Sequence, residues 1–591
     1  AERISGELAK ARVAVIDLRA ADQSAVVPSL VENFVDALPA IDEWPLERSL
    51  EHRGWRTQHG STSGGYFSTF IVSGTRAVKP APKAGPSHIV FVADGHTAIP
   101  PAALALQAGG RATIVSSAPI AEAGVVATDI LEIGGGLTVE IRFGELLWGP
   151  PKPDLRAADP RARGLALAKT LIGKRAVAKP RKLPTLPPMK LRDDLDYPGT
   201  LPSRPHRVLA GVRIWAALEY FFPYRYLITD WDRAFRDALP KLEAAATRDV
   251  YHDALRELGA RAGDGHIHVF SVAKDTMKEG IPPLETRMIE KQLVVTRLLG
   301  TASGIAVGDV VEAIDGKPAA EVLARMRPTI SGSNDEARDQ RVAMFALAGA
   351  DGTTAKLGLR APGGKPREVT VTRQIAHRMA LVAPAQVPHW KKLPNQVGYV
   401  DLRLLTVPEV PAMFTELKDT RAIVFDMRGY PNGTAWTIAP RVNTKRAKYG
   451  AQFLKPMVTG WTRSSDARFR FLQNLASLPA NTTLYTGKIV VLIDDRAISQ
   501  SEHTCLFLQE AAGATFIGSP TAGANGDVTM LRLPGELRMM FTGQEVRHLD
   551  GKQLQKVGIQ PHVVVRPTIA GIRAGKDEVL ERALAHLAGK K

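Results

Sequence analysis

Only one cysteine, Cys505, occurs in the chain. No internal disulfide can form, and a thiolate metal site is excluded by count. Its place among apolar neighbours reads as a buried, inert thiol. No stretch holds the about 18 or more uncharged apolar residues that a membrane-crossing helix requires. The opening residues, Ala1-Glu2-Arg3-Ile4-Ser5-Gly6, lack the apolar core of a signal peptide; either a signal has been removed or there was none. Acid is the scarcer charge, with 60 Asp and Glu against 77 Lys and Arg, for a net +17. The cations are spread along the chain, with no basic stripe and no interleaved aromatics, so nucleic acid is not an expected partner. His266 and His268, two apart on a strand pattern, find no third ligand of comparable signal. No metal or other cofactor is expected.

What is present is an ordinary globular composition, 45% apolar and 23% charged, and 591 residues predict roughly three to five domains. Residues 488–526 hold the densest signal. Lys488-Ile-Val-Val-Leu-Ile reads as a buried strand, Asp494-Asp-Arg follows, and the segment after Ser499 has helical periodicity. A serine between strand and helix has two readings. It caps the helix, or it is a nucleophile that gains from helix-terminal amides and an exposed hydroxyl. Taken alone, the cap is the simpler.

Ser499-Gln500-Ser501-Glu502, followed by Gly518-Ser519-Pro520-Thr521-Ala522-Gly523, resembles the Ser-x-Ser-Glu and Gly-x-x-Thr-x-Gly pattern of the C-terminal-processing (tail-specific) and tricorn-type serine peptidases. The resemblance covers residues 206–591 well and 10–150 more weakly. It implies a multidomain α/β protein with a ClpP/crotonase-like βα core over 385–591. It makes Ser499 the nucleophile, with Ser501 and Glu502 as motif support. Gly429-Tyr-Pro-Asn-Gly433 resembles the family's oxyanion-hole loop, although Asn432 stands where a glycine is usual; Gln500, Gly429 and Gly433 are the implied amide donors.

The first 175 residues read as a degenerate second copy of this core. Ala14-Val-Ile-Asp17-Leu-Arg19 echoes Ile423-Val-Phe-Asp426-Met-Arg428, and Gly54-Trp55 echoes Gly460-Trp461. Ala112-Thr-Ile-Val115 echoes Ala514-Thr-Phe-Ile517, and Ile133–Leu137 echoes Leu533–Leu537. The offset drifts in one direction from 409 to 400, as duplication with small loop changes produces. The slot of Ser499 falls near Thr97, where Pro100 and Pro101 follow and Ser-x-Ser-Glu is absent, so the copy is expected to be structural or regulatory. His96 and Thr97 are reserve candidates only. Because the repeat starts almost at its first strand, preceding elements in a longer precursor are an open expectation.

Seven prolines among basic residues make 176–205 a semi-extended linker. Residues 206–280 predict a helical domain ending in Asp264-Gly-His266. Residues 281–378 resemble a PDZ domain through Gly304-Ile305…Gly308-Asp309…Ile314-Asp315-Gly316, without a legible carboxylate-binding loop.

A serine hydroxyl needs a positioned base. The tail-specific lysine position is occupied by Ala524, so no Ser–Lys dyad exists, and the resemblance to tricorn-type members assigns His266 as general base. Gln555 stands where that resemblance calls for the orienting glutamate, with Glu545 as a substitute acid, and Gly265 replaces an expected serine. An amide cannot offset imidazolium charge, and such a change costs on the order of 10⁴ in rate in a triad. Two function classes follow: a serine endopeptidase acting on peptide or unfolded protein through a Ser499 acyl-enzyme, or an inactive peptide-binding scaffold of the same fold. A homo-oligomer is compatible with either, and the compartment stays open between extracytoplasmic and cytoplasmic.

Overall fold

The computed structural model describes the chain except for residues 1–6, 9, 20–40, 46, 55–66, 73–74, 79–85, 98, 121–125, 147–151, 175–196, 198, 274–278, 362, 377–386, 460–467 and 590–591. Residues 176–196 and 198 of the linker expected over 176–205 fall outside the described residues, as do Trp55, Gly460 and Trp461, and its last two residues already belong to the helix that starts at Arg204. The chain divides into two compact units, one of Ala1–His52, Ser68–Arg192 and Val458–Ser464, the other of Arg53–Phe67, Asp193–Met457 and Ser465–Lys591. No described helix is long and apolar enough to cross a membrane.

The first unit holds a parallel four-stranded sheet, in spatial order β1 (Val13–Asp17), β2 (His88–Ala93), β3 (Ala112–Ser116) and β4 (Leu155–Arg156). Helix α1 (Pro101–Ala108) connects β2 to β3, and α2 (Pro160–Leu171) follows β4. β2 is buried at every position, which is why it reads as a continuous apolar run rather than an alternating one.

In the second unit, α3 (Arg204–Phe221), α4 (Trp231–Ala244) and α5 (Arg248–Ala260) pack together. The short strand β5 (His268–Ser271) follows. An antiparallel domain comes next, its sheet ordered β6 (Leu284–Ile289), β7 (Gln292–Leu298), β8 (Val310–Ile314), β9 (Thr354–Arg360), β10 (Pro366–Thr372), with α6 (Ala319–Met326) and α7 (Asp335–Phe345) between β8 and β9.

The last part is built on a six-stranded sheet: β11 (Trp390–Leu393), β12 (Val397–Asp401), β13 (Ala422–Asp426), β14 (Lys488–Ile493), β15 (Thr515–Gly518) and, at the far edge, Val563–Val564. All neighbours from β12 onward are parallel. Alternation divides the side chains between two cores. Ile423, Phe425, Val491 and Ile493 face α9 (Gln500–Ala512). Val424, Val490 and Leu492 face α10 (Glu578–Leu587), which closes the opposite face with Val579, Ala583 and Leu587.

After β15 the chain makes the hairpin β16 (Val528–Leu533) and β17 (Leu537–Thr542), and β17 pairs antiparallel with β5, His268 opposite Met540. This three-stranded sheet lays Leu531, Leu533, Leu537, Met539 and Phe541 on the helices, in one core with Trp231, Tyr251 and Leu255. The helical bundle and the β16–β17 hairpin thus share apolar packing. Trp231 is 1% exposed and donates its indole N–H to the Trp215 carbonyl at 3.1 Å. Trp231→Ala is expected to cost about 3–5 kcal/mol, measured as a loss of unfolding free energy in urea.

Candidate active site

Ser499 is the residue immediately before α9, half-exposed, at φ 58° and ψ −116°. A non-glycine residue there is strained, and such strain persists only where the surroundings fix it. They do so here on three sides. The Ser499 N–H donates to the Ala524 carbonyl at 2.8 Å. Ser501, fully buried, donates its hydroxyl to the Gly429 carbonyl at 2.7 Å, tying the 429–433 loop to the helix. Glu502, fully buried, accepts from Thr521 Oγ1 at 2.5 Å, Gly523 N–H at 2.7 Å and Ala524 N–H at 2.9 Å, fixing the turn that follows β15. Burial pushes the Glu502 carboxyl up to about 7, against the pull of these bonds. Ser499, Ser501 and Glu502 therefore each have a distinct set of bonds.

The amides near Ser499 are those of α9's first turn, whose N–H groups a helix leaves without partners of its own; Ser501 N–H donates to the Ile498 carbonyl at 3.1 Å, and Gln500 N–H is the one next to Ser499. Gly433, at φ 73°, lies beside the Gln500 side chain: a Cβ built on it would sit 3.8 Å from Gln500 Nε2. Gly429 differs from expectation. Its N–H already donates to the Met427 carbonyl at 2.8 Å, and its own carbonyl receives Ser501, so it braces the loop instead of offering a donor. Asn432 donates to the Arg403 carbonyl at 2.8 Å and the Leu405 carbonyl at 3.3 Å, a fastening that glycine would lack.

His266 precedes β5. Register explains its surroundings: with His268 opposite Met540, two residues back on one strand and two forward on the other bring His266 to Thr542. His266 Nδ1 lies 2.7 Å from Thr542 Oγ1. The Nε2 atom is buried and has no hydrogen-bond partner among the described residues, so Ser499 and His266 are not hydrogen-bonded to each other. The residue before His266 nonetheless lies against Ser499's neighbours. A Cβ added to Gly265 would meet Ala524 Cβ at 2.9 Å and Ile498 Cδ1 at 3.1 Å, the residue that accepts the Ser499 N–H and the residue before Ser499. That closeness is the reason for glycine where a serine was expected, and the Ser333 hydroxyl fills the place, accepting Gly265 N–H at 2.7 Å. Burial lowers the His266 pKa below the usual imidazole value, while Asp264 opposes it and Arg341 adds to it.

Gln555 is fully buried but does not touch the imidazole. Its Nε2 donates to Asp264 Oδ1 at 3.1 Å and lies 3.3 Å from Ser333 Oγ. The sequence reading took it to face His266 directly; the residue that does so is Thr542, which carries no motif and was missed. Glu545 is no substitute, because Tyr226 OH (2.8 Å), Arg547 Nε (2.5 Å) and Arg468 Nη1 (2.5 Å) occupy its carboxylate. His268 stacks on Phe270. Among the described residues no cluster of His, Cys, Asp and Glu could hold a metal. Cys505 is buried in α9 and burial raises its thiol pKa. Glu502→Ala would leave three buried donors without an acceptor, and is expected to cost about 3 kcal/mol or more, read from denaturant unfolding. Gly265→Ala is expected to cost about 1–3 kcal/mol through overpacking against Ala524, read the same way.

Residues 396–565 match the model of peptidase family S41. An 82-residue stretch is 33% identical to a protein of Chlamydia pneumoniae; it covers 13% of this chain and only 13% of the length of that relative. Mature CPAF complexed with lactacystin is similar in fold, with a TM-score of 0.53 at 16% identity over 65% of this chain and 98% of that one. Mature CPAF itself gives 0.51 at 15% identity over 64% and 96%. The strand–Ser499–helix segment, the Glu502-bound turn and β12 to β17 all lie inside the matched stretch, and over it the chain resembles the S41 peptidases of the tail-specific and tricorn type.

Proposed function

We propose that this chain is a serine endopeptidase that cleaves extended peptide or unfolded-protein segments through a Ser499 acyl-enzyme, with His266 as general base. The observation that carries this is the buried Nε2 of His266, without a hydrogen-bond partner among the described residues, in a residue whose neighbour Gly265 lies against Ile498 and against Ala524, the acceptor of the Ser499 N–H. The ligand-free spacing exceeds a hydrogen bond, as catalytic contacts often do before substrate tightens them. Ser499 Oγ attacks the scissile carbonyl carbon as Nε2 takes its proton. The resulting oxyanion is met by the Gln500 and Gly433 N–H groups. The C–N bond then breaks as Nε2 returns the proton to the leaving amine, and water releases the acyl group by the reverse steps.

The antiparallel domain of β6–β10 is read as PDZ-like. Supporting this, β6 lies at the sheet edge and packs beside α7, the arrangement by which an extended peptide adds as a further strand. Arg287 of β6 lies 3.0 Å from Asp495 and 3.2 Å from Asp494, just ahead of Ser499.

The N-terminal unit is read as a copy of the core without its chemistry. β1–β2–β3–β4 repeats the order of β13, β14, β15 and the Val563–Val564 strand. Arg19 brackets Asp17 through Nε at 2.9 Å and Nη2 at 2.7 Å, as Arg428 brackets Asp426 at 2.9 and 2.6 Å. Val90 and Val115 face α2 as Val490 and Ile517 face α10. In place of the nucleophile turn, Thr97 Oγ1 donates to Asp94 at 2.8 Å, and α1 begins only at Pro101.

A fluorophosphonate probe is expected to label Ser499 alone, mapped by mass spectrometry, and labelling should vanish in Ser499→Ala and His266→Ala. His266 must be neutral to act, and its pKa is lowered, so the labelling rate should hold as pH falls through about 6.5 and decline only below it. No labelling of folded wild type would favour the scaffold reading.

A further inference from the structure

We propose that Asp264, acting through the Thr542 hydroxyl, is the acid that orients His266, and that Gln555 holds Asp264 rather than the imidazole. The proposal rests on the Ser499–His266 reading above. It resolves the missing glutamate: the carboxylate is present, but it enters from the residue two before the histidine and through an intervening hydroxyl.

The argument is one of donors and acceptors. Asp264 is fully buried. Its Oδ1 receives Thr542 Oγ1 at 2.8 Å, Gln555 Nε2 at 3.1 Å and the His266 N–H at 3.2 Å; its Oδ2 receives the Thr542 N–H at 2.9 Å. Each of those neighbours points a hydrogen at the carboxyl group, which therefore acts as acceptor throughout. Thr542 has a single hydroxyl proton, and it goes to Asp264. Toward His266 Nδ1, 2.7 Å away, the Thr542 oxygen can then only accept. The ring proton sits on Nδ1, and Nε2 keeps its lone pair. That is the tautomer a general base needs, and the unpartnered state of Nε2 agrees with it. When the imidazolium forms, its Nδ1–H charge is one hydroxyl removed from the carboxylate.

The relay is itself held. Ser331 Oγ donates to the Asp264 carbonyl at 2.7 Å, and Arg341 Nη1 donates to the Gly265 carbonyl at 2.5 Å and the Ser331 carbonyl at 2.9 Å. The charged groups that bear on His266 are Asp264, Arg341 and Asp527. Lys556 and Tyr224 bear in turn on Asp264, and Lys455 on Asp527. Asp264 and Thr542 are positioning residues; neither meets the reacting atoms.

The test is the rate of fluorophosphonate labelling at Ser499 from about pH 5 to about pH 9, in wild type, Thr542→Val, Thr542→Ser, Asp264→Asn and Gln555→Ala. It is paired with ¹⁵N NMR of the His266 ring to read its tautomer. Thr542→Val should slow labelling on the order of 10²-fold, and Thr542→Ser should restore it to within a few-fold. Asp264→Asn removes the negative charge and turns one of the two acceptor oxygens into a donor that must face either the Thr542 N–H or the three donors at Oδ1. Labelling should fall about 10³- to 10⁴-fold. The acid limb should also shift to lower pH as the imidazolium loses its countercharge. Gln555→Ala should stay within about tenfold.

Thr542→Val within about twofold of wild type, with an unshifted acid limb, would overturn the proposal, and a 10²-fold loss in Gln555→Ala would assign the role to Gln555. Should Asp264→Asn fail to fold, the Thr542 pair decides. A wild type that is never labelled would sink the peptidase reading alone. The tautomer still tests the relay in that case: Nδ1–H in wild type supports it and Nε2–H overturns it.

Discussion

Ser499 is held at φ 58° and ψ −116°, a conformation that costs an L-residue of order 1–3 kcal/mol, and the contacts around it keep it there. Glu502 gathers the hydroxyl of Thr521 and the amides of Gly523 and Ala524; Ala524 in turn holds the Ser499 N–H. The two turns at the ends of β14 and β15 are thus one hydrogen-bonded body. Remove the carboxylate and one of the three restraints on Ser499 is lost, with the turn that presents Ala524 to it. The same body sets the position of His266, because Gly265 packs directly on Ala524 and Ile498.

Parallel strands end at this body with a second recurring device. Asp401, Asp426 and Asp494 each receive the arginine two residues on, Arg403, Arg428 and Arg496. Burial alone would raise the Asp426 pKa, but Arg428 outweighs it and holds the carboxyl at about 2. Charges this deep are retained only when paired. They close the carboxyl ends of β12, β13 and β14, where the loops bearing the site begin, with a rigid polar layer instead of mobile side chains.

The parts of this arrangement written in consecutive residues were legible in the sequence. The buried strand, Ser499, Ser501, Glu502 and the Thr521–Gly523 turn lie within 36 residues of one another from Lys488 to Gly523, and they carried the family resemblance that the S41 match bears out. The mixed α/β multidomain class was legible for the same reason, because its strands are continuous apolar runs. What the sequence hid was register. Thr542 meets His266 across 276 positions, through a strand pairing that no local pattern announces, and threonine at a strand end has no signature. Position alone puts Gln555 on the imidazole, whereas its amide reaches Asp264. The loop's resemblance makes Gly429 a donor, yet its N–H is spent on Met427.

The most direct measurement is acid-quench mass spectrometry of the protein during incubation with a denatured protein substrate, searching for a peptide-acyl adduct. A covalent adduct on Ser499 that accumulates with cleavage products, and is absent in His266→Ala, is the predicted result. Folded protein that yields neither adduct nor products would contradict the account.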